Sequence, residues 1–445
     1  MNKIYLKTLG CPKNQVDSEH LRRLLSSQGF VFIDEVNDSD IILLNTCGFI
    51  KDAKEESIEE ILRLAEIKND SGIQGNKGPK RLLVFGCLAK RYRDELRKEI
   101  PEIDEIFGVG EEKEISEYCK TVIGNKNIVI KRNNHQTSPS SYAYIKIAEG
   151  CDKKCTFCII PSIRGRYRSI KPDLILKEAL DYIKNGVKEI ILVAQDITSY
   201  GKDLNGYNLP TLLRDLASID GDFYIRLLYL YPTDITDELI HVIAEEEKIQ
   251  KYVDIPLQHS EDKILRLMGR RGTKKEYTKL IRKLRRNIPG IAIRTSFIVG
   301  FPGETEEDFN GLIDFIEEIR FDRLGVFTYS KEEGTSASRL KGHIAEKVKK
   351  RRFDEIMKRQ SLISFEKNRE LIGRRFKAIV DEVEGDIIIA RLYSHAPEID
   401  GVVIIYKKDK LYNELDSTYS VKIGDFINVE IEDAFDYDLK GRLVK

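Results

Sequence analysis

The chain has 445 residues, of which 41% are hydrophobic and 33% charged, and its 74 Lys and Arg residues balance 74 Asp and Glu residues. This length predicts two to four domains, and the balanced charge gives no reason to expect nucleic acid or a membrane surface as a partner of the whole protein. No apolar run approaches the roughly 20 residues that a membrane span requires, and the N-terminal residues lack a signal-peptide core. We therefore expect a cytoplasmic protein that contacts no membrane, in which the seven cysteines remain reduced.

The first region, residues 1–130, alternates apolar runs with amphipathic helical patterns, and this alternation predicts an open α/β sheet. Three of the apolar runs predict buried parallel strands: 3–11, 40–47 and 81–87. Cys11, Cys47 and Cys87 stand at the carboxyl ends of these strands, the edge at which open α/β sheets bind ligands. A single free cysteine is more often a small buried core residue, but three at equivalent strand ends favour a shared ligand site.

The second region, residues 137–368, contains six strand–helix units that follow a polar linker at 131–141. The six predicted strands are 142–150, 189–196, 223–232, 252–259, 291–303 and 323–330. Six such units predict a complete or partial β/α barrel. The first strand leads directly into the run CDKKCTFC, residues 151–158, which places that run at the carboxyl-end face where such barrels keep their chemistry.

A long charged helical pattern at 344–371 leads into the third region, residues 371–445. Short strand-like runs interrupted by Gly and Asp predict a small antiparallel β-barrel there, of the general oligonucleotide-binding kind. This region has 11 Lys and Arg residues against 15 Asp and Glu residues. An RNA-binding barrel should be basic, because phosphate neutralisation dominates its affinity, so the acidic balance favours a basic protein as partner.

The 151–158 run places Cys151, Cys155 and Cys158 in one loop with Cys-x3-Cys-x2-Cys spacing. A structural zinc ion needs four ligands, and no second pair of Cys or His residues follows nearby. A disulfide is disfavoured in a reducing compartment. A 4Fe-4S cube held by three thiolates has one iron without a protein ligand, so that iron can bind a small chelating substrate or cofactor.

With Phe157 just before its last cysteine, this spacing resembles that of the radical S-adenosylmethionine superfamily. Further stretches are similar to the RimO branch of the methylthiotransferases: LGCPKNQVDSE (9–19), NTCGFI (45–50), GCLAKRY (86–92), CTFCIIPSIRGRYRS (155–169) and LYSHAPEIDG (392–401). One departure is Ile170, where the family pattern has Arg, and it affects no site residue. The resemblance implies a methylthiotransferase N-terminal domain, a radical core and a TRAM domain, at 1–130, 137–368 and 371–445.

By that resemblance a second 4Fe-4S cluster is held by Cys11, Cys47 and Cys87, while the cluster on the three catalytic cysteines of the 151–158 loop binds S-adenosylmethionine. The family reaction replaces a C–H bond by C–SCH3, with sulfur carried at the second cluster. One S-adenosylmethionine donates the methyl group and another is the radical source. The implied target is the β-carbon of an aspartate in the twelfth small-subunit ribosomal protein, and a reductant such as flavodoxin or ferredoxin is expected. No direct nucleic-acid substrate is expected.

Cofactor contacts beyond the cysteines are predicted at Phe157 and in a Gly-rich turn that contains Gly300 and Gly303. The turn resembles the superfamily segment that packs against the adenine of S-adenosylmethionine. An ordinary βα turn, in which Gly permits tight geometry, is an equal alternative for these glycines. Phe157 packs on the adenine or shields the cluster.

Polar residues at strand ends are further candidates, because a barrel binds its ligands at that face. Gln195 and Gln258 are predicted to contact the cofactor, and His259 and Asp196 occupy the same strand ends. A helix-capping role is the alternative for Asp196.

Three other features have less specific interpretations. Arg226 and Arg294 lie within predicted strands, so if they point inward they need anionic partners, such as the methionine carboxylate or a substrate aspartate. The basic run 164–168 directly follows the cysteine loop, which favours a substrate-facing role. Cys119 lies away from any strand end and is interpreted as a structural residue.

Two other functions remain open from the sequence. One is a tRNA methylthiotransferase, which an assay on transfer RNA against the ribosomal protein would separate from the RimO branch. The other is a ribosome-associated binding protein whose clusters are structural. Such a protein would yield no 5′-deoxyadenosine and no spectral change with S-adenosylmethionine.

Overall fold

The computed structural model describes residues 2–73, 78–123, 140–407 and 421–444. Residues 131–139 of the predicted linker lie outside these ranges. Among the helices within them, none is both long enough and apolar enough to cross a membrane.

The N-terminal region is a five-stranded, all-parallel sheet with the order β2-β1-β3-β4-β5. Its strands are β1 Lys3–Thr8, β2 Val31–Ile33, β3 Ile41–Thr46, β4 Arg81–Gly86 and β5 Glu105–Ile106. Its helices are α1 Pro12–Ser26, α2 Lys51–Ile73, α3 Cys87–Arg91, α4 Arg93–Glu99 and α5 Glu112–Ile123. The central strand β3 is buried along its whole length, as expected for a parallel strand whose two sheet faces are both covered. The predicted open α/β sheet is confirmed.

The central region is a six-stranded, all-parallel sheet with the order β13-β12-β11-β10-β9-β6. Its strands are β6 Tyr142–Lys146, β9 Glu189–Val193, β10 Tyr224–Leu227, β11 Ile249–Asp254, β12 Ala292–Val299 and β13 Arg323–Thr328, with a short antiparallel pair β7 Ala148–Glu149 and β8 Arg168–Ser169. Its helices are α6 Ile160–Arg164, α7 Pro172–Lys184, α8 Leu209–Ala217, α9 Asp237–Glu245, α10 Asp262–Leu267, α11 Lys274–Asn287, α12 Glu306–Ile319 and α13 Glu346–Arg369. The two edge strands β6 and β13 do not pair, so of the two predicted forms the partial barrel is the one observed.

The C-terminal region is a closed barrel of five strands in the order β14-β15-β16-β18-β17. The strands are β14 Arg375–Glu384, β15 Ile387–Arg391, β16 Val403–Tyr406, β17 Phe426–Ala434 and β18 Leu439–Leu443. The small barrel was correctly predicted, but β16 and β18 pair in parallel, so the expectation of a fully antiparallel barrel is wrong at this one ladder. A closed ring with an odd number of strands cannot alternate direction throughout, so one parallel ladder is required.

A buried ion-pair chain joins the C-terminal barrel to the central sheet. The Glu189 carboxylate at the start of β9 accepts from Arg226 Nε at 2.9 Å and from Arg391 Nη1 at 2.6 Å. All three side chains are at most 1% exposed. Burial raises the pKa of Glu189, but the two guanidinium groups outweigh burial and leave that pKa lowered. Glu189 is thus ionised and lies between the two arginines, and Asp381 supplies the second negative charge through its ion pair with Arg391.

Replacing Glu189 by glutamine is expected to lower the free energy of unfolding by about 3–5 kcal/mol, because the buried Arg226 loses its counter-charge and Arg391 keeps only Asp381. Urea denaturation at neutral pH measures this change, with Glu99→Gln on the exposed surface of α4 as control. Since the pKa of Glu189 is lowered on folding, its stabilisation is present above the unfolded pKa of about 4.3 and disappears as pH falls through the folded pKa. A loss below about 1 kcal/mol, the range of surface pairs, would contradict the role of this carboxylate.

Candidate active site

Three adjacent strands of the N-terminal sheet end next to a cysteine. Cys11 is the residue before helix α1, Cys47 directly follows β3, and Cys87 opens α3 after β4. Because β3 pairs with both β1 and β4, the three strand ends are neighbours at one edge of the sheet. We call these residues the Cys11 trio.

The loops that carry the Cys11 trio approach each other closely. A Cβ atom added to Gly10 would lie 2.7 Å from the Cys47 Cβ and 3.0 Å from its Sγ, and one added to Gly48 would lie 3.1 Å from the Cys87 carbonyl carbon. Gly10 also has φ +92°, a conformation that favours glycine. Glycine beside each of two cysteines therefore permits the close approach of the loops that carry the three thiols.

Polar side chains hold these loops in place. The Cys47 N–H donates to Ser57 Oγ at 3.1 Å, and the Ser57 hydroxyl donates back to the Cys47 carbonyl at 2.9 Å. Beneath the trio, the buried Asn14 amide donates to the Leu9 carbonyl at 2.8 Å. Its Oδ1 lies 3.8 Å from Cys87 Sγ.

The thiols of the Cys11 trio differ in the direction of their pKa shift: the pKa of Cys11 is lowered, whereas the pKa values of Cys47 and Cys87 are raised. Burial raises the pKa of Cys11, but Lys13 and Arg164 outweigh it and leave that pKa lowered. Burial raises the pKa of Cys87 to about 12, and the neighbouring thiols add to the increase. Three thiolates at this point would therefore repel one another unless a positively charged group is bound between them.

The second set of thiols, Cys151, Cys155 and Cys158, lies in the loop between β7 and α6, and we call it the Cys151 trio. The loop is closed at its base, because β7 pairs with β8 and the Cys151 N–H donates to the Gly165 carbonyl at 3.1 Å. At its tip the Cys158 N–H donates to the Cys155 carbonyl at 3.1 Å. From outside the loop, Arg270 Nη1 lies 3.9 Å from Cys155 Sγ.

An apolar cluster covers one side of the Cys151 trio. Phe157 packs with residues from α10, β12, the turn after it and the segment that follows β13: Ile264, Leu267, Met268, Ile298, Phe301, Tyr329, Ala337 and Leu340. The same side of the loop is tied to the end of α10, since the Thr156 N–H donates to the Met268 carbonyl at 2.9 Å. Phe157 therefore helps to keep water away from the loop.

The donor chemistry of both trios fits an iron–sulfur cube. All seven cysteines are free thiols. Within the described residues, no three His, Cys, Asp or Glu side chains are arranged to hold a single metal ion. A single zinc ion would draw its thiolates to about 2.3 Å from one centre. In a cube each thiolate binds a different iron, so three thiolates occupy separate corners.

The Cys11 trio lies close to the helix that follows the Cys151 trio, where the N-terminal and central regions meet. Ile159 and Ile163, at helix α6 beside the Cys151 trio, pack against Cys87 together with Phe49 and Val109. Polar contacts reinforce this junction, because Arg91 Nη1 of the N-terminal region donates to the buried Glu332 carboxylate at 2.7 Å. The fold therefore brings the two candidate cluster sites to one interface.

Comparison with known proteins gives the family. Family profiles match three successive parts of the chain: "Uncharacterized protein family UPF0004" at 3–108, "Radical SAM superfamily" at 145–316 and "TRAM domain" at 372–444. "Ribosomal protein uS12 methylthiotransferase RimO" of Thermodesulfovibrio yellowstonii is 56% identical over 444 residues, and the match covers 100% of both chains. The chain belongs to the RimO family of methylthiotransferases. The resemblance inferred from its motifs is thereby confirmed.

Other relatives extend the comparison. A RimO protein of the same name from Lachnoclostridium phytofermentans is 46% identical, and the match covers 99% of each chain. Among solved structures, the radical S-adenosylmethionine methyltransferase TsrM from Kitasatospora setae matches with a TM-score of 0.53 at 14% identity, over 74% of this chain and 75% of that chain. The cobalamin-dependent S-adenosylmethionine radical enzyme OxsB matches with a TM-score of 0.51 at 13% identity, over 82% and 56%. At such identities the two structures show a shared fold only.

The glycines predicted as cofactor contacts in this RimO-family chain have structural reasons of their own. Gly300 has φ +72°, and a Cβ added there would lie 2.3 Å from Lys349 Cγ of α13. Gly303 has φ +86° and donates its N–H to the Gly342 carbonyl at 3.0 Å. These contacts support the turn interpretation, and contact with the cofactor stays a prediction.

Of the polar residues at the strand ends, Gln195 and Asp196 contact residues at or next to the 151–158 loop, whereas Gln258 has a half-buried side chain. The Gln195 amide donates to Glu149 Oε1 at 3.3 Å, two residues before Cys151. Asp196 accepts from the Thr198 N–H at 3.0 Å, so its capping alternative is the observed one, and it also lies 3.3 Å from Lys153 of the cysteine loop. Gln258 is half-buried with φ +73°. Its contact with a cofactor stays a prediction.

His259 is fully buried, which lowers its pKa to about 3. Its Nδ1 accepts the Glu261 N–H at 3.0 Å, so this side chain is neutral and holds the start of α10. These contacts favour a structural role over cofactor binding.

The two arginines predicted within strands, Arg226 and Arg294, form ion pairs with carboxylates of the protein itself. Arg226 pairs with Glu189, and Arg294 Nη1 lies 3.0 Å from Asp254 Oδ1 and its Nε 3.5 Å from Asp400. The suggestion that a methionine or substrate carboxylate neutralises them is therefore wrong. Their true partners come from neighbouring strands and from the C-terminal barrel, which sequence patterns do not bring together.

Two arginines lie near the trios in positions that the sequence did not predict. Arg270 reaches Cys155 from the turn after α10, and no local motif indicates this contact. Arg164, in the run expected to face substrate, is instead buried, whereas Arg166 and Arg168 of the same run are exposed.

Proposed function

We propose that this chain methylthiolates the β-carbon of an aspartate in the twelfth small-subunit ribosomal protein, using two S-adenosylmethionine molecules and two 4Fe-4S clusters. The observation that carries the proposal is that Cys87 of the Cys11 trio packs against Ile159 and Ile163, which directly follow the Cys151 trio in the chain. The full-length identity of 56% to a protein named for this activity supports the choice of substrate. We assign the domains to 1–130, 137–368 and 371–445.

The chain's own residues would have separate tasks in this reaction. The Cys151 trio would hold the catalytic cluster and the Cys11 trio would hold the cluster that carries sulfur. When bound, the catalytic cluster would supply the electron that cleaves S-adenosylmethionine to the 5′-deoxyadenosyl radical, which removes the substrate hydrogen, and the other cluster would supply the sulfur that becomes methylated. Phe157 and its apolar neighbours would keep water from the Cys151 trio. Glycines beside Cys11 and Cys47 would let the loops of the Cys11 trio approach each other.

Iron and acid-labile sulfide content tests the cluster assignment. Anaerobically reconstituted protein is expected to contain about eight irons per chain, since each of two cubes holds four. Replacing either trio by three alanines should leave about four. Only four irons in the unaltered protein would contradict a second cluster.

The acidic barrel supports a basic protein as substrate. Glu382 and Glu384 at the end of β14 are exposed, as are Asp433 and Asp436 near the end of β17. In contrast, Asp381 is bonded to Arg391 and holds the barrel itself. The docking surface would therefore consist of the exposed carboxylates only.

Reversing Glu382, Glu384, Asp433 and Asp436 to lysine is expected to weaken binding of the ribosomal protein, because attraction becomes repulsion. The loss should be large at low salt and small at high salt, where exposed charges are screened. Titration calorimetry at two salt concentrations measures it, with Glu59→Lys and Glu66→Lys on the exposed face of α2 as the control. Equal affinity of both variants at low salt would remove the barrel from docking.

We propose that the reaction takes place in the cytoplasm and uses a low-potential reductant such as flavodoxin or ferredoxin. A parallel assay on the ribosomal protein, the small subunit and transfer RNA tests the substrate. Methylthiolation of transfer RNA alone would replace this proposal by the nucleic-acid branch of the family.

A further inference from the structure

A buried charge network fills the space between the two trios. It consists of Asp17 from α1, Lys146 from β6, Glu149 from β7 and Arg164 from the end of α6. Arg164 Nη1 lies 3.1 Å from Glu149 Oε1 and Nη2 lies 3.1 Å from Asp17 Oδ2, and its side chain is only 1% exposed. Lys146 bonds both carboxylates. Two cations and two anions from two regions of the chain thus neutralise one another with little exposure to water.

Arg164 also reaches beyond this network to the Cys11 trio. Its Nη2 donates to Asn14 Oδ1 at 2.7 Å, and the same oxygen lies 3.8 Å from Cys87 Sγ. The other side of the Asn14 amide is held by the Leu9 and Thr46 carbonyls, at 2.8 and 3.3 Å. The amide cannot turn without losing these bonds, so the guanidinium is held beside the Cys11 trio.

The backbone next to Arg164 is attached to the other trio. Gly165 accepts the Cys151 N–H at 3.1 Å, and Glu149, which binds the guanidinium, is two residues before Cys151. A single residue therefore lies between the two candidate cluster sites and is linked to both. Arg166, two residues later in the same run, is exposed rather than buried between the two sites.

We propose that Arg164 is a positioning residue that raises the reduction potential of the cluster held by the Cys11 trio. The inference rests on the proposed function, because it requires a cluster on that trio. Reduction adds an electron to a group that already carries three thiolates. A buried positive charge stabilises this added negative charge more than it would in water, since the surroundings screen it little.

Asp17 should lower the reduction potential of the same cluster, because its charge is opposite to that of Arg164. Its carboxylate lies against Arg164 and partly cancels the guanidinium charge that the trio experiences. Removing Arg164 and removing Asp17 should therefore shift the potential in opposite directions. A purely structural network would not separate the two, because both losses open the same interface.

The test is a potentiometric titration followed by electron paramagnetic resonance, on full-length protein in which the Cys151 trio is replaced by alanines so that one cluster remains. Relative to this reference, Arg164→Gln should move the potential to more negative values and Asp17→Asn to less negative values. Arg164→Lys keeps the charge and should return most of the first shift. Arg166→Gln is the matched control and should leave the potential unchanged.

Each result has a separate meaning. A reference protein without iron would overturn the proposed function and this inference with it. A cluster of full iron content whose potential is the same in Arg164→Gln would overturn the inference alone. The same would follow if Arg164→Lys shifted as far as Arg164→Gln, or if Asp17→Asn shifted in the same direction. Opposite shifts with rescue by lysine would establish it.

Discussion

Replacing Cys155 by alanine is expected to abolish the formation of 5′-deoxyadenosine. The Cys151 trio would lose one of its three anchors, and the Arg270 guanidinium, 3.9 Å from Cys155 Sγ, would lose the sulfur that it faces. A cube with two protein ligands has two exposed corners, so it would neither persist nor orient S-adenosylmethionine. Chromatography of anaerobic reactions with excess dithionite measures the product directly.

The matched control for this prediction is Cys119→Ala. Cys119 is fully buried in α5 within an apolar cluster, and it belongs to neither trio. Its replacement should leave the cleavage of S-adenosylmethionine intact. Formation of 5′-deoxyadenosine by Cys155→Ala at the unaltered rate would contradict the assignment of the catalytic cluster.

Replacing Cys47 by alanine is expected to separate the two halves of the reaction. Some 5′-deoxyadenosine should still form, because the Cys151 trio is untouched, but no methylthiolated product should appear. Cys47 is the central member of its set, since β3 lies between β1 and β4 in the sheet. Its loss therefore removes the anchor that is next to both other thiols.

Mass spectrometry of the ribosomal protein, run beside the nucleoside assay on the same reactions, measures both outcomes. Retained methylthiolation in Cys47→Ala would remove the Cys11 trio from the mechanism. Loss of 5′-deoxyadenosine as well would show that the two sites depend on each other structurally. Iron content distinguishes that case, since an intact catalytic cluster should still account for about four irons.

Strands with long apolar runs were predictable because their signal is local. The runs at 40–47 and 81–87 extend at most one residue beyond β3 and β4 at either end. Six strands of the central region were predicted in the same way. The strands that were missed in the first two regions, β2, β5 and β8, have two or three residues each. Such lengths are too short to show a period, and only pairing with a neighbour creates them.

Charge partners were not predictable, because they join residues that are distant along the chain. Arg226 and Arg294 were correctly expected to need anions, but their partners Glu189, Asp254 and Asp400 could not be chosen from the sequence. The acidic balance of the third region was similarly correct as a count. Folding then buries Asp381 and Asp400 in internal bonds and leaves a smaller acidic surface.

The sequence by itself determined the positions of six thiols that suit two cubes, because cysteine spacing within a loop and cysteine placement at strand ends are properties of short segments. Tertiary structure alone decided that both sets meet at one interface, and that Arg164 lies buried between them while Arg166 faces solvent. The physical reason is that burial and charge pairing depend on which distant segments pack together. Neighbouring residues of the same type therefore acquire different environments only when the chain has folded.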